Sequence, residues 1–197
     1  MGAWFMGEQA RGPWRGMPIT IFNTKNDELL NELPARELSI KDKPPKHGGL
    51  YMVRPRPEDD DAAVQKYLQG VWDNEDHALY FDEGYMLGNK NRAFRLLLTQ
   101  GRAKHIPMTY LSQRPVFMDR FAFSEARYFA LFHLVDNRDI KTVQEFVSVP
   151  VSKKLAKHHF VWYDVNSDAG AIVKPVPSPE TIINGFNSHF PKPRSFF

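Results

Sequence analysis

Two adjacent carboxylates, Asp82 and Glu83, close a short apolar run, Ala78-Leu79-Tyr80-Phe81. If that run is a buried parallel strand, both acids leave it at its carboxyl end, the rim on which open α/β sheets bind ligands. One carboxylate there can hold the water shell of Mg²⁺, and its neighbour can activate a water against a nucleotide phosphate. Apolar runs also end in Asp-Glu at ordinary strand-to-loop exits. The pair alone leaves both readings open.

Positioning such a pair requires a folded domain, and the composition supplies one. The 197 residues suffice for a domain with a real core, and 42% hydrophobic with 25% charged residues is ordinary for a globular protein. There is no cysteine, which excludes disulfides, thiolate metal sites and cysteine nucleophiles. No apolar run is long enough to span a membrane, and the amino terminus is too short and too interrupted by glycine for a secretory signal. A cytoplasmic location is the expectation. The net charge of +3 is compatible with a polyanion partner without requiring one. The basic groups, among them Lys41, Lys43 and Lys46 and Lys153, Lys154 and Lys157, read as solvated faces or loops.

Periodicity predicts strands at 17–23, 50–54, 78–81, 106–111 and 126–135, and helices at 27–33, 58–72, 91–101 and 136–146. The four acids Glu58, Asp59, Asp60 and Asp61 open the second of these helices, where the dipole favours negative charge. Gly101 reads as the stop of the 91–101 helix. Residues 34–57 read as mostly loop around the 50–54 strand. A strand pair, 160–165 and 171–173, flanks an Asn-Ser-Asp-Ala-Gly turn. A last helix starts at Ser178-Pro179-Glu180, with serine as cap and proline in the first turn. Alternating strands and helices give an α/β domain with a mostly parallel sheet flanked by helices. Residues 1–150 form the core, and 151–197 add the strand pair, a helix and a loose tail packed on it.

Three motifs then fall in order: Asp82-Glu83, Gly101-Arg102-Ala103, and Ser112-Gln113-Arg114-Pro115 at the end of the following strand. Arg127-Tyr128-Phe129-Ala130-Leu131-Phe132 and Asp136-Asn137-Arg138-Asp139 follow them. Over about residues 78–145 this series resembles the FtsK/HerA-type motor ATPases, the branch of P-loop NTPases that includes DNA pumps, viral genome-packaging ATPases and filamentous-phage assembly ATPases. The resemblance implies ATP and Mg²⁺ as ligands. It makes Asp82 the holder of the metal's water shell, Glu83 the group that polarises the attacking water, and Gln113 the sensor beside the γ-phosphate. Arg102 stands where related motors carry an arginine finger that reaches into a neighbouring subunit. A homo-oligomeric ring, hexameric by the same resemblance, is implied, with DNA and other phage or plasmid proteins as partners.

Plainer roles stay open for the same residues. Arg102 can cap the carbonyls at its helix end, Gln113 can be an ordinary loop residue, and Arg114 can be a finger, a phosphate contact or part of a structural turn. His158-His159 reads as a surface pair, and His105 and His133 as strand-edge and core histidines.

The sequence departs from that family in one respect: no Gly-x-x-x-x-Gly-Lys-Ser/Thr occurs in it. Residues 1–16 read as the end of the helix that such a loop opens, with Asn23-Thr24-Lys25 in place of an Asp-Pro-Lys-like turn. The expectation is a P-loop NTPase core of the ASCE/RecA type without its first strand and P-loop. Two strand edges would then lack a neighbour. A chain that begins late is the favoured explanation, and a non-catalytic assembly module on a decayed ATPase fold is the alternative. As written, the chain is not expected to turn over ATP unaided.

Overall fold

The computed structural model describes residues 1–55, 61–87 and 91–190. By contacts these group into two units, Met1–Ser112 with the segment from Pro177, and Gln113–Val176. The motif-based division at residue 150 falls inside the second unit.

The first unit is built on a five-stranded parallel sheet. Its strands are β1 (Pro18–Asn23), β2 (Arg36–Leu38), β3 (Gly49–Val53), β4 (Ala78–Asp82) and β5 (Met108–Tyr110), in the order β2-β3-β1-β4-β5. β1 is buried at every position and β4 at all but its last, the continuous apolar burial of central parallel strands. The register sets Phe22 beside Phe81 and Asn23 beside Asp82. Among the described residues the sheet ends on β2 at one side and β5 at the other.

Two amphipathic helices cover one face. From α3 (Asp61–Asn74) come Val64, Tyr67, Leu68 and Val71, and from α4 (Arg92–Gln100) come Ala93, Phe94 and Leu97. They close over a ring cluster in which Phe22 stacks on Phe81 with centroids 4.8 Å apart, and Phe94 meets Phe81 edge-on at 5.2 Å. On the opposite face α1 (Gly2–Arg11) passes so close that a Cβ on Gly2 would collide with the Tyr80 hydroxyl. α1 also packs against α7 (Pro179–His189), where Phe186 occupies the space beside Gly7. Ser178 caps α7 as its sequence predicts, its side chain accepting from the Thr181 amide.

A polar chain crosses this packing near the start of β4. Thr20 Oγ1 lies 2.8 Å from His77 Nε2 and 3.2 Å from the Tyr67 hydroxyl. His77 is fully buried, and burial pushes its pKa down to about 4, the Pro45 backbone opposing.

The second unit is an antiparallel meander of β6 (Tyr128–Leu131), β7 (Phe160–Asp164) and β8 (Ala169–Val173). Its own core gathers Phe123, Val143, Val147, Val151 and Tyr163. Asp136 caps α6 (Asn137–Gln144) by accepting from the Arg138 amide.

Several expectations change. The 27–33 helix is a single turn, α2 (Glu28–Asn31), capped by Asp27. The 126–135 strand shortens to β6 and pairs antiparallel with β7. Gly101 ends α4 as expected, serving as its C-cap with φ −58°, and the chain continues through a 3-10 turn to His105, which takes φ +53°. His133 is exposed, where a core position was expected. Glu58, Asp59, Asp60 and the 191–197 tail lie outside the described residues.

Candidate functional site

β1 and β4 are adjacent and parallel, so the turns that follow them leave the same rim of the sheet. From β1 come Thr24, Lys25 and Asp27; from β4 come Asp82 and Glu83. The Thr24 hydroxyl donates to the Asp82 carbonyl, and Lys25 Nζ lies 3.2 Å from Glu83 Oε1. Glu83 is buried and takes φ +49°, a left-handed conformation uncommon for a residue with a Cβ. Strain of this kind persists where the surroundings over-determine it, and it concentrates at sites that work. The next residue must be glycine on steric grounds, because a Cβ on Gly84 would meet the Tyr110 ring.

Asp82 is half-buried, and its pKa is pushed up to about 6. Burial is the main cause, the charges of Asp27 and Glu83 add to it, and Lys25 opposes. A carboxylate short of positive charge, beside two more acids, suits a cation. Among the described residues no three His, Asp or Glu side chains cluster closely enough to cage a metal. A cation bound here would be held by one carboxylate, and not by a dedicated protein cage.

β5 leaves the sheet on the same rim as β4. Leu111 N donates to the Phe81 carbonyl at 2.9 Å and Gly84 N to the Leu111 carbonyl at 3.3 Å, so the β5 exit runs beside Glu83-Gly84. Gln113 follows two residues later with its side chain exposed. Arg102 stands elsewhere. Its 3-10 turn precedes β5, and the Lys104 carbonyl in that turn accepts from Asp76 N just before β4. Arg102 is thus on the opposite rim, about 16 Å of strand from Asp82.

Arg114 has a structural partner. Its Nε donates to Asp139 Oδ2 at 2.9 Å, and Asp139 Oδ1 also accepts from Val116 N at 2.8 Å. Asp139 is buried, so the Gln-Arg-Pro turn is fastened to the first turn of α6. Of the alternatives open for Arg114, the structural turn is the one with contacts.

The sequence is 40% identical over 177 residues to the DNA packaging ATPase P9 of Enterobacteria phage PRD1, spanning 85% of this chain and 78% of that protein. The chain belongs to the phage DNA-packaging ATPase family. Its fold is that of solved packaging NTPases. B204 from Sulfolobus turreted icosahedral virus 2, in complex with ATP-gammaS, superposes with a TM-score of 0.65 at 17% identity, covering 88% of this chain and 89% of that one. The same protein in complex with AMPPCP gives 0.65 at 16% identity, covering 89% and 94%. B204 from Sulfolobus turreted icosahedral virus, a DNA-packaging ATPase, gives 0.65 at 19%, covering 88% and 89%. No family model matches the chain. Among the described residues no helix is long and apolar enough to cross a membrane.

Sequence reasoning found Asp82, Glu83, Gln113 and Arg102 as candidates but gave no role to Lys25 or to the Arg114–Asp139 pair. Lys25 was visible only as part of a turn that departs from a family pattern. Its proximity to Glu83 depends on strand order, which local sequence does not carry.

Proposed function

We propose that this packaging ATPase is a motor of the FtsK/HerA type that couples ATP hydrolysis to movement of DNA into a phage particle. The observation that carries the proposal is the acid pair at the end of the buried β4, with Glu83 held in a left-handed conformation against Lys25. Mg²⁺ would neutralise charge on the β- and γ-phosphates and help align them. Asp82 would hold the metal's water shell. Glu83 orients a water and takes its proton, while Lys25 fixes the carboxylate's position. Gln113 can both donate to a phosphate oxygen and accept from that water, the capacity a sensor needs. Arg102, on the far rim, can serve only a site in another copy of the chain, which fits a ring.

ATP turnover, measured on the polypeptide and on the protein carrying any in-frame codons that precede Met1, tests this. The polypeptide alone is expected to be inactive, since its sequence has no Gly-Lys-Ser/Thr loop. In the form that turns over, Glu83→Gln should slow hydrolysis by roughly 10²–10⁴-fold while leaving ATP binding intact. Unchanged turnover would remove Glu83 as the base. No turnover from either form would support a second reading, a non-catalytic assembly module.

A further inference from the structure

We propose that the loop at 152–159, between α6 and β7, is a DNA-phosphate contact of this packaging protein. No acid occurs between Glu145 and Asp164, while Lys153, Lys154, Lys157, His158 and His159 all fall within that interval. The three lysines are exposed, and none is ion-paired with a described residue. Several cations elsewhere are ion-paired, among them Arg54 with Glu37, Lys104 with Glu75, Arg114 with Asp139 and Arg120 with Glu145.

The loop is also held at its base. Val151 and Phe160 are buried at its two ends. The Gln144 side chain donates to the Val147 and Val149 carbonyls and accepts from Val151 N, fastening the approach. His159 N donates to the Ala156 carbonyl at 3.0 Å and His158 takes φ +61°, closing a turn with Lys157 inside it. A fixed turn bearing unneutralised ammonium groups on long stems suits a regular array of phosphates, which positions a duplex without reading its sequence.

The other lysine-rich loop, with Lys41, Lys43 and Lys46, is a weaker candidate. Asp42 sits within it, and its backbone is engaged by α3 through Asn74 donating to the Pro44 carbonyl.

The assignment rests on the packaging reading, and the experiment separates the two. Fluorescence anisotropy of a labelled duplex of about 30 base pairs, titrated across a salt series, gives affinity and the slope of log K against log salt. Replacing Lys153, Lys154 and Lys157 together by Gln should weaken binding about tenfold or more at low salt, equally for unrelated sequences. It should make the slope shallower by about 1 for each lysine removed. The matching Lys41, Lys43 and Lys46 triple should change neither, and far-UV circular dichroism should show both triples folded. Wild-type protein that binds duplex, with an unchanged 152–159 variant, would overturn the loop assignment and leave the packaging reading standing. Wild-type protein that binds no duplex would count against both. Binding of poly-glutamate in place of duplex, lost in the loop triple, would make the loop a contact for an acidic protein and overturn the DNA assignment.

Discussion

At Asp82 a position proposed to hold a metal's water shell works against the stability of the fold. Its pKa is raised to about 6 from an ordinary 3.8, so the folded chain binds that proton more tightly than the unfolded chain does. The stabilisation this gives is complete below pH 4 and is lost as pH rises through 6. Asp82→Asn should therefore stabilise the protein at pH 7.5, by about 1 kcal/mol once solvent screening of a half-exposed group is allowed for, and should gain nothing at pH 4. Urea unfolding at the two pH values measures it; equal effects at both would mean that the carboxylate is not penalised. Asp139 is the converse case, a buried carboxylate whose bonds to Arg114 and Val116 N hold two segments together. Asp139→Ala should cost about 2–3 kcal/mol by the same assay, because it leaves the Val116 amide without its acceptor and takes from Arg114 the shorter of its two carboxylate pairs, the one to Asp136 remaining. A loss below about 0.5 kcal/mol would show that the turn holds itself.

Among the elements, His77 ties β4 to β1 and α3 through Thr20 and Tyr67 in otherwise apolar packing. The folded pKa of His77 is about 4 and the unfolded value 6.5, so the unfolded chain takes up the proton first as pH falls. Stability from this group is full above pH 6.5 and declines by roughly 3 kcal/mol on the way down to pH 4, opposite in slope to the Asp82 contribution. His77→Gln keeps a partner for Thr20 but cannot titrate, so its unfolding midpoint should fall less steeply between pH 6.5 and 4 than that of the parent. Parallel profiles would place the acid sensitivity elsewhere. The elements that could be read from sequence are those whose burial is written locally. β1 and β4 are short, mostly apolar and buried runs, α3 and α4 carry their apolar stripes, and α7 has its serine cap. Arg36-Glu37-Leu38 escaped notice because an exposed three-residue edge strand has neither an apolar run nor alternation, and pairs with β3 through its backbone. The span of β6 was overestimated because apolar residues continue to Val135 after pairing with β7 has stopped at Leu131. The acid pair was legible because it ends a core strand; Lys25 was not, because it meets Glu83 only through the β1–β4 pairing.

For the whole molecule, the two rims of the sheet decide what one copy can do alone. Asp82 and Glu83 lie on one rim and Arg102 on the other. A strand of five residues separates them by about 16 Å, beyond the reach of an arginine side chain. Arg102 is exposed, and if it serves an ATP phosphate, a neighbouring copy in a head-to-tail arrangement would have to bring that phosphate. In the form of the protein that hydrolyses ATP, Arg102→Ala and Glu83→Gln should each be inactive as pure assemblies. Mixed, they should regain activity, because an Arg102→Ala subunit brings an intact Glu83 to a site whose arginine comes from a Glu83→Gln neighbour. With random mixing at equal amounts, about one interface in four has that composition, so recovered turnover should approach a quarter of the parent rate if sites act independently. Steady-state ATPase rates across mixing ratios measure it. Recovery peaking near equal amounts requires the two residues to act across an interface. A flat, inactive line at every ratio would return Arg102 to capping the carbonyls of its own turn.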